Sequence, residues 1–447
     1  MVKTSVAAVA LSTLAAAGAG MGAGAAQAAW TAPATLGPSG STLAGAIEPA
    51  PRAAIGGDGT ILATWVRFAR TQGAVYAAVG DRRGRFAAAQ RLGRGLRPAV
   101  AVGARGAGLV VFEGHGDLRV AVRRPGARGF GAARVLVAAP ANGAGNSFPL
   151  VGIDAGGTAL VVYEHGFRGK QGFRTYLRGL RVDARTGRAV GGSEDLGPAG
   201  LPRGATLEPG PRGGLSLLIT TRAPGNGLQG GPPQVLTWAP AEGTATRSSP
   251  EAPDAFAEGV LGGDGTGRLA LAGVSSTIHG DAGSAGFPVA AALGGDPLTL
   301  SAPFAGPGVR FPNRTFGTVA APLAGGGLAM AYQQKARPEG FSRQAPVMAT
   351  TLSAAGRPGP AVRLSARKGA EPQIVALQGG ALTVWDDAGR FGAARRSHGG
   401  WHRVVAPRGA VVPFHDYVTN RRLVAGGSTA VLVWEASRSI RLSVLRP

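Results

Sequence analysis

Short apolar runs alternate along this chain with turns rich in Gly and Asp, and eight of the runs stand at near-constant spacing. They occupy residues 61–65, 109–112, 159–163, 215–219, 269–273, 328–332, 382–385 and 430–434. Their last positions are Trp65, Phe112, Tyr163, Ile219, Gly273, Tyr332, Trp385 and Trp434, which lie 47, 51, 56, 54, 59, 53 and 49 residues apart. Self-similarity at such a period predicts a circular or stacked repeat. The second copy shows the unit. Residues 98–103 predict one strand, 104–106 a tight turn, and 109–112, 118–123 and 130–136 three further strands. Strands that are apolar at nearly every position predict sheets covered on both faces.

The last copy stops after three strands, which leaves an edge open to pairing. The missing strand is expected at the other end of the chain. Residues 30–36 match 86–92 and 130–136 in their aromatic, small and leucine positions. In unit length, strand order and shared closure the chain resembles the β-propeller superfamily, in preference to a β-helix or a sandwich. The expected fold is therefore all-β, an eight-bladed propeller whose ring is closed by the N-terminal strand in the last blade. Seven blades is the alternative if the weak fourth or fifth copy is misread. The resemblance implies that the first strand of each blade is innermost and that the loops after the second and fourth strands share one face.

On that geometry the turns of one face are short, while the connections 138–148, 221–233, 275–286, 304–315, 334–345 and 407–420 collect on the other, the expected working face. Polar residues gather there too. The position after the terminal residue of each run is Glu113, Glu164, Gln333, Asp386 and Glu435 in five copies, with His115, His165 and Asp387 close behind. His415, Asp416 and Tyr417 form the most polar cluster in the loop before the last copy. The candidate binding residues are thus Glu113, His115, Glu164, His165, Asp386, Asp387, His415, Asp416 and Tyr417. An acid/base pair could be drawn from them. The simpler reading is that each acid pairs with an Arg of a neighbouring strand or caps loop amides, and it is preferred.

Residues 1–28 carry Lys3, an apolar stretch at 6–17 and an Ala26-Gln27-Ala28 cleavage signal, so they are expected to be a signal peptide and 29–447 the propeller. A membrane anchor is not expected. The absence of cysteine excludes disulfides, thiolate metal sites and a thiol nucleophile. The formal charge of +23 is nearly all Arg, spread over most repeats without interleaved aromatics, so a diffuse basic rim is expected rather than specific nucleic-acid binding. No metal or cofactor is expected. The turn at 183–188 is similar to the D-x-x-T-G-[KR] turn of quinone-dependent propellers but occurs once, and the Asp-box of sialidases is missing from its place. No G-x-S-x-G, H-E-x-x-H or P-loop motif is found. The sequence therefore points to a secreted, monomeric module that binds or scaffolds an extracellular protein or polysaccharide. A glycan-active hydrolase or lyase, with its carboxylates on the long-loop face, is the alternative.

Overall fold

Side chains alternate in direction along a strand, so a strand buried on both faces divides its residues between two neighbours. The second strands do this in every repeat. In Gly108–Glu113, Leu109 and Val111 pack toward the following repeat and Val110 and Phe112 toward the preceding one. In Thr429–Ala436, Trp434, Leu432 and Ala430 pack back while Val431 and Val433 pack forward. Trp65, Tyr163, Ile219, Tyr332 and Trp385 likewise face the preceding repeat. Eight apolar clusters result, one at each interface between repeats.

The computed structural model of the chain describes residues 29–39, 51–69, 72–141, 145–169, 172–200, 205–222, 230–240, 244–251, 256–277, 285–294, 299–300, 305–306, 311–312, 317–334, 345–365, 369–397, 400–409, 421–436 and 439–446. They form eight antiparallel sheets built from consecutive segments of the chain, the last of which also takes in the two N-terminal strands. The first strands of successive sheets touch one another all the way round, and the last of them, Arg421–Gly426, rests against the first, Arg52–Ile55. The chain is therefore an eight-bladed β-propeller with its first strands innermost. Its one described helical segment is the 3-10 turn Pro211–Gly213.

Closure follows the expected route. Ala34 pairs with Leu442 and Thr35 with Arg441, and Ala29 and Trp30 pair with Arg446 and Leu445. The N-terminal segment runs as two pieces, Ala29–Trp30 and Ala34–Pro38, because Pro33 has no amide to donate at the break. Thr31 bridges it. Its carbonyl accepts from the Ser443 hydroxyl at 2.6 Å, and its hydroxyl accepts from the Val444 amide at 3.0 Å.

Three details depart from the sequence reading. The fourth strands are shorter than expected, Gln90–Arg94 and Arg134–Val137, because the leading aromatics leave the ladder to pack. Phe130 is buried, and Gln90 of the preceding blade bonds both its amide and its carbonyl at 2.8 Å. Some connections read as loops are partly strand, since Arg222 pairs with Gly230 and Thr277 with Ala285. Thr60–Ala69 and Thr158–Gly169 run beyond Trp65 and Tyr163 into long hairpins. Residues 1–28, expected to be a signal peptide, lie outside the described residues.

Leu36→Ala is expected to cost about 2–4 kcal/mol in a denaturant titration, because buried Leu36 joins the core between the last and first blades. The neighbouring exposed Thr35→Ala is expected to stay within about 0.5 kcal/mol. Deleting residues 29–38 is expected to expose the strand Ser439–Arg446 and to cause aggregation on heating. A deletion variant that melts like the intact protein contradicts closure as the source of cohesion.

Candidate functional site

The residue after each terminal position of a second strand faces the following blade, by the alternation described above. A polar group there meets the backbone of the next innermost strand. Glu113 accepts the Phe148 amide at 2.6 Å and pairs with Arg97 at 2.9 Å. Gln333 donates to the Gly369 carbonyl at 3.0 Å. Asp386 places its charge near Arg421, whose guanidinium also donates to the Glu371 carbonyl. Gln373 completes that junction by bonding the Arg421 carbonyl and the Leu423 amide. Burial pushes the Glu113 carboxyl up, against the pull of Arg97 and the Phe148 amide. These are clamps between blades.

At the same level the innermost strands carry bulges. Arg97, Phe148 and Glu371, each preceding a proline, adopt positive φ of 45°, 51° and 50°. The ladder shifts register at each of these sites. Arg97 stacks over the Phe148 ring at 4.1 Å. Strained backbone of this kind persists only where its surroundings hold it.

The expected site residues divide into two groups on opposite sides of the ring. Glu113, His115 and His165 gather at the junction of the second and third blades. Asn146 donates there to the Gly116 and Ala138 carbonyls, so its Oδ1 accepts from His165 Nδ1 at 2.8 Å. Burial, reinforced by Arg178, holds His165 below its usual value against Asp195. His115 is exposed in the adjacent turn. Glu164 is half-buried, in register with Ser147 and Leu177.

Asp386 and Asp387 lie in the seventh blade, four blades from the third. Asp386 accepts the Gly389 amide at 2.8 Å, and Asp387 pairs with Arg403 at 3.1 Å. Beside them Gly389, Arg390, Phe391 and residues 406–409 line an open depression of about 450 Å³. Phe391 meets the buried Trp434 edge-on beneath it, with ring centroids 5.1 Å apart. His415, Asp416 and Tyr417 lie outside the described residues.

The short turns of the opposite face are bound to one another. Asp58 accepts the Thr60 amide and hydroxyl at 2.9 and 2.8 Å and sits against Gly106 of the next blade, whose φ of +79° and lack of a Cβ permit the approach. Arg268 pairs with Asp264 at 2.6 Å and reaches the Leu323 and Ala324 carbonyls of the next blade. The Thr186 amide first, then its hydroxyl and the Arg185 amide, holds the Asp183 carboxyl below the usual range despite some burial.

Sequence reasoning missed three charged residues on the innermost strands. Arg52, Glu208 and Arg422 are held deep within the ring yet keep part of their surface accessible. Their signal was positional, a charge where most blades carry an apolar residue. Among the described residues no group of three or more His, Asp or Glu is placed to hold a metal ion. No helix among them is long and apolar enough to cross a membrane.

No protein-family model matches the chain, and no curated protein matches it in sequence. Solved structures similar to it include the β-propeller domain of the Trilobed protease from Pyrococcus furiosus, at 7% identity and a TM-score of 0.41, covering 81% of this chain and 97% of that one. The polysaccharide lyase Uly1 is similar at 10% identity and 0.49, over 91% of both chains. The WD40 domain of SCAP from fission yeast is similar at 8% identity and 0.46, over 89% of this chain and 95% of that one. The propeller assignment rests on the eight sheets and their closure.

Glu113→Ala is expected to cost about 1–3 kcal/mol by urea denaturation, since it strands the Phe148 amide and leaves half-buried Arg97 without its carboxylate. Because the Asp183 pKa is lowered on folding, its contribution to stability is present above pH 3.8 and lost as pH falls through the folded value. Asp183→Asn is therefore expected to be less stable at neutral pH and to show a shallower loss of stability below pH 3.8 in pH-dependent melts.

Proposed function

We propose that the protein is a secreted binding or scaffolding module that presents its long-loop face to an extracellular protein or polysaccharide. What carries this reading is the use already made of the site's polar residues. A hydrolase or lyase needs carboxylates that converge within about 5–10 Å on one substrate bond. Here Glu113 is spent on Arg97 and the Phe148 amide, Asp387 on Arg403, and Asp386 on the Gly389 turn. The groups of blades two to three and of blade seven stand on opposite sides of the ring. Binding needs no such convergence, because loops on a rigid ring offer recognition surface wherever they rise. Secretion is part of the proposal and rests on the leader-like pattern of residues 1–28.

The test separates binding from turnover. The purified protein is run through gels cast with acidic and neutral polysaccharides and incubated with the same polymers, with new reducing ends and unsaturated products measured. Retardation or capture of a cell-surface protein without product is the expected outcome, and salt-sensitive retardation by every polyanion alike is expected from the basic rim. Catalytic release of product identifies an enzyme and overturns the reading.

A further inference from the structure

Of the three innermost-strand bulges that hold a residue before proline at positive φ, two carry side chains whose charge is met within the ring. Arg97 pairs with Glu113, and Glu371 places its charge near Arg421. The third is Phe148, in Asn146–Ile153, with φ of 51°. Its ring has no such use. Among the side chains described it is the only exposed Phe, Tyr or Trp, with 41% of its surface open to solvent.

An aromatic ring left in water and a backbone held where the following proline disfavours it both cost stability, yet the site is firmly built. The Phe148 amide donates to the Glu113 carboxylate at 2.6 Å, and Pro149 beside it is buried. Two residues earlier, Asn146 donates to the Gly116 and Ala138 carbonyls at 3.2 and 2.9 Å. The backbone is thus fixed on both sides of the ring. Arg97, itself tied to Glu113, lies over one face with its guanidinium carbon 4.1 Å from the ring centroid, so the exposed surface is the opposite face and the edge. The bulge opens the innermost strand of the third blade at its loop-face end, and exposed His115 stands in the turn whose Gly116 carbonyl Asn146 bonds.

This fixed, flat, apolar surface selects its ligand. A cation on one face opposes a second cation on the other, which excludes a basic ligand. A ring on an open rim lacks the enclosed pocket in which protein interfaces concentrate their binding energy. A strand of nucleic acid bases needs successive aromatic platforms, whereas Phe148 stands alone among the described side chains. A pyranose ring fits: its apolar C–H face covers one aromatic ring, and its hydroxyls reach sideways to polar groups such as His115.

We infer that Phe148, backed by Arg97, is a stacking platform for one sugar ring of a neutral or acidic polysaccharide, an assignment that rests on the binding function proposed above.

Hydroxyethylcellulose, laminarin and polygalacturonate are the probes, titrated calorimetrically into the purified protein at about 0.5 M sodium chloride to screen the basic rim. The wild type is expected to bind at least one of them. Phe148→Leu, which keeps apolar bulk but no flat face, is expected to weaken that binding at least roughly tenfold, while Phe148→Tyr stays within about threefold of wild type. Val190→Ala, which trims another exposed apolar side chain of the same blade, is expected to leave binding unchanged. All three variants are expected to melt with the wild type, because neither side chain belongs to the core. The inference is overturned by binding that survives Phe148→Leu, by binding lost in Phe148→Tyr, or by a wild type that binds none of the three polymers; capture of a protein partner would stand in each case. A Phe148→Leu protein that melts well below wild type assigns the ring to the fold and overturns it too. Product release accompanied by Phe148-dependent binding overturns the non-catalytic reading instead and leaves the platform in place.

Discussion

The structure depends on one antiparallel contact, that of residues 29–38 with Ser439–Arg446. Each blade buries both faces of its second strand, so every blade needs a neighbour on each side. An open array of eight would leave two faces wet and one edge unpaired. Bringing the chain's two ends into one sheet removes both problems together and places Leu36 and Leu442 in the same core as Ile61 and Trp65. The contact joins residues as far as 412 positions apart in the chain, as Thr31 and Ser443 are.

The ring's regularity accounts for much of its polar chemistry. Once the terminal residue of each second strand faces backward, the next residue must face forward, where the backbone of the following blade presents unpaired groups. Glu113 and Gln333 answer those groups with an acceptor and a donor respectively. The same logic on the opposite face joins Asp58 to the glycine turn of the next blade and Arg268 to the carbonyls beyond it. Glu113 and Gln333, at equivalent places in their repeats, thus fasten one blade to the next.

Two features stand out against the repeat because they break it. The bulges at Arg97, Phe148 and Glu371 hold non-glycine residues at positive φ around the innermost ring, although the proline after each favours extended backbone. The pair Arg52 and Arg422 puts charge into a position that is apolar in four other blades. In a fold whose stability comes from repetition, such departures carry the individuality of the protein.

The sequence alone determined the architecture: a period of about fifty residues, four strands per unit, a last unit one strand short, and its complement in residues 30–36. All of these are local or counting properties, legible because strand periodicity and turn residues act over a few positions. It also determined that Glu113, Gln333 and Asp386 occupy equivalent places. Only the tertiary structure decided what those places do, since the partner of each lies in another blade, tens of residues away, such as Phe148 for Glu113 and Gly369 for Gln333. It alone set Glu208 across from Arg422, separated by more than two hundred residues of chain. Register and ring closure bring such charges together, and neither is written in the spacing of any single repeat.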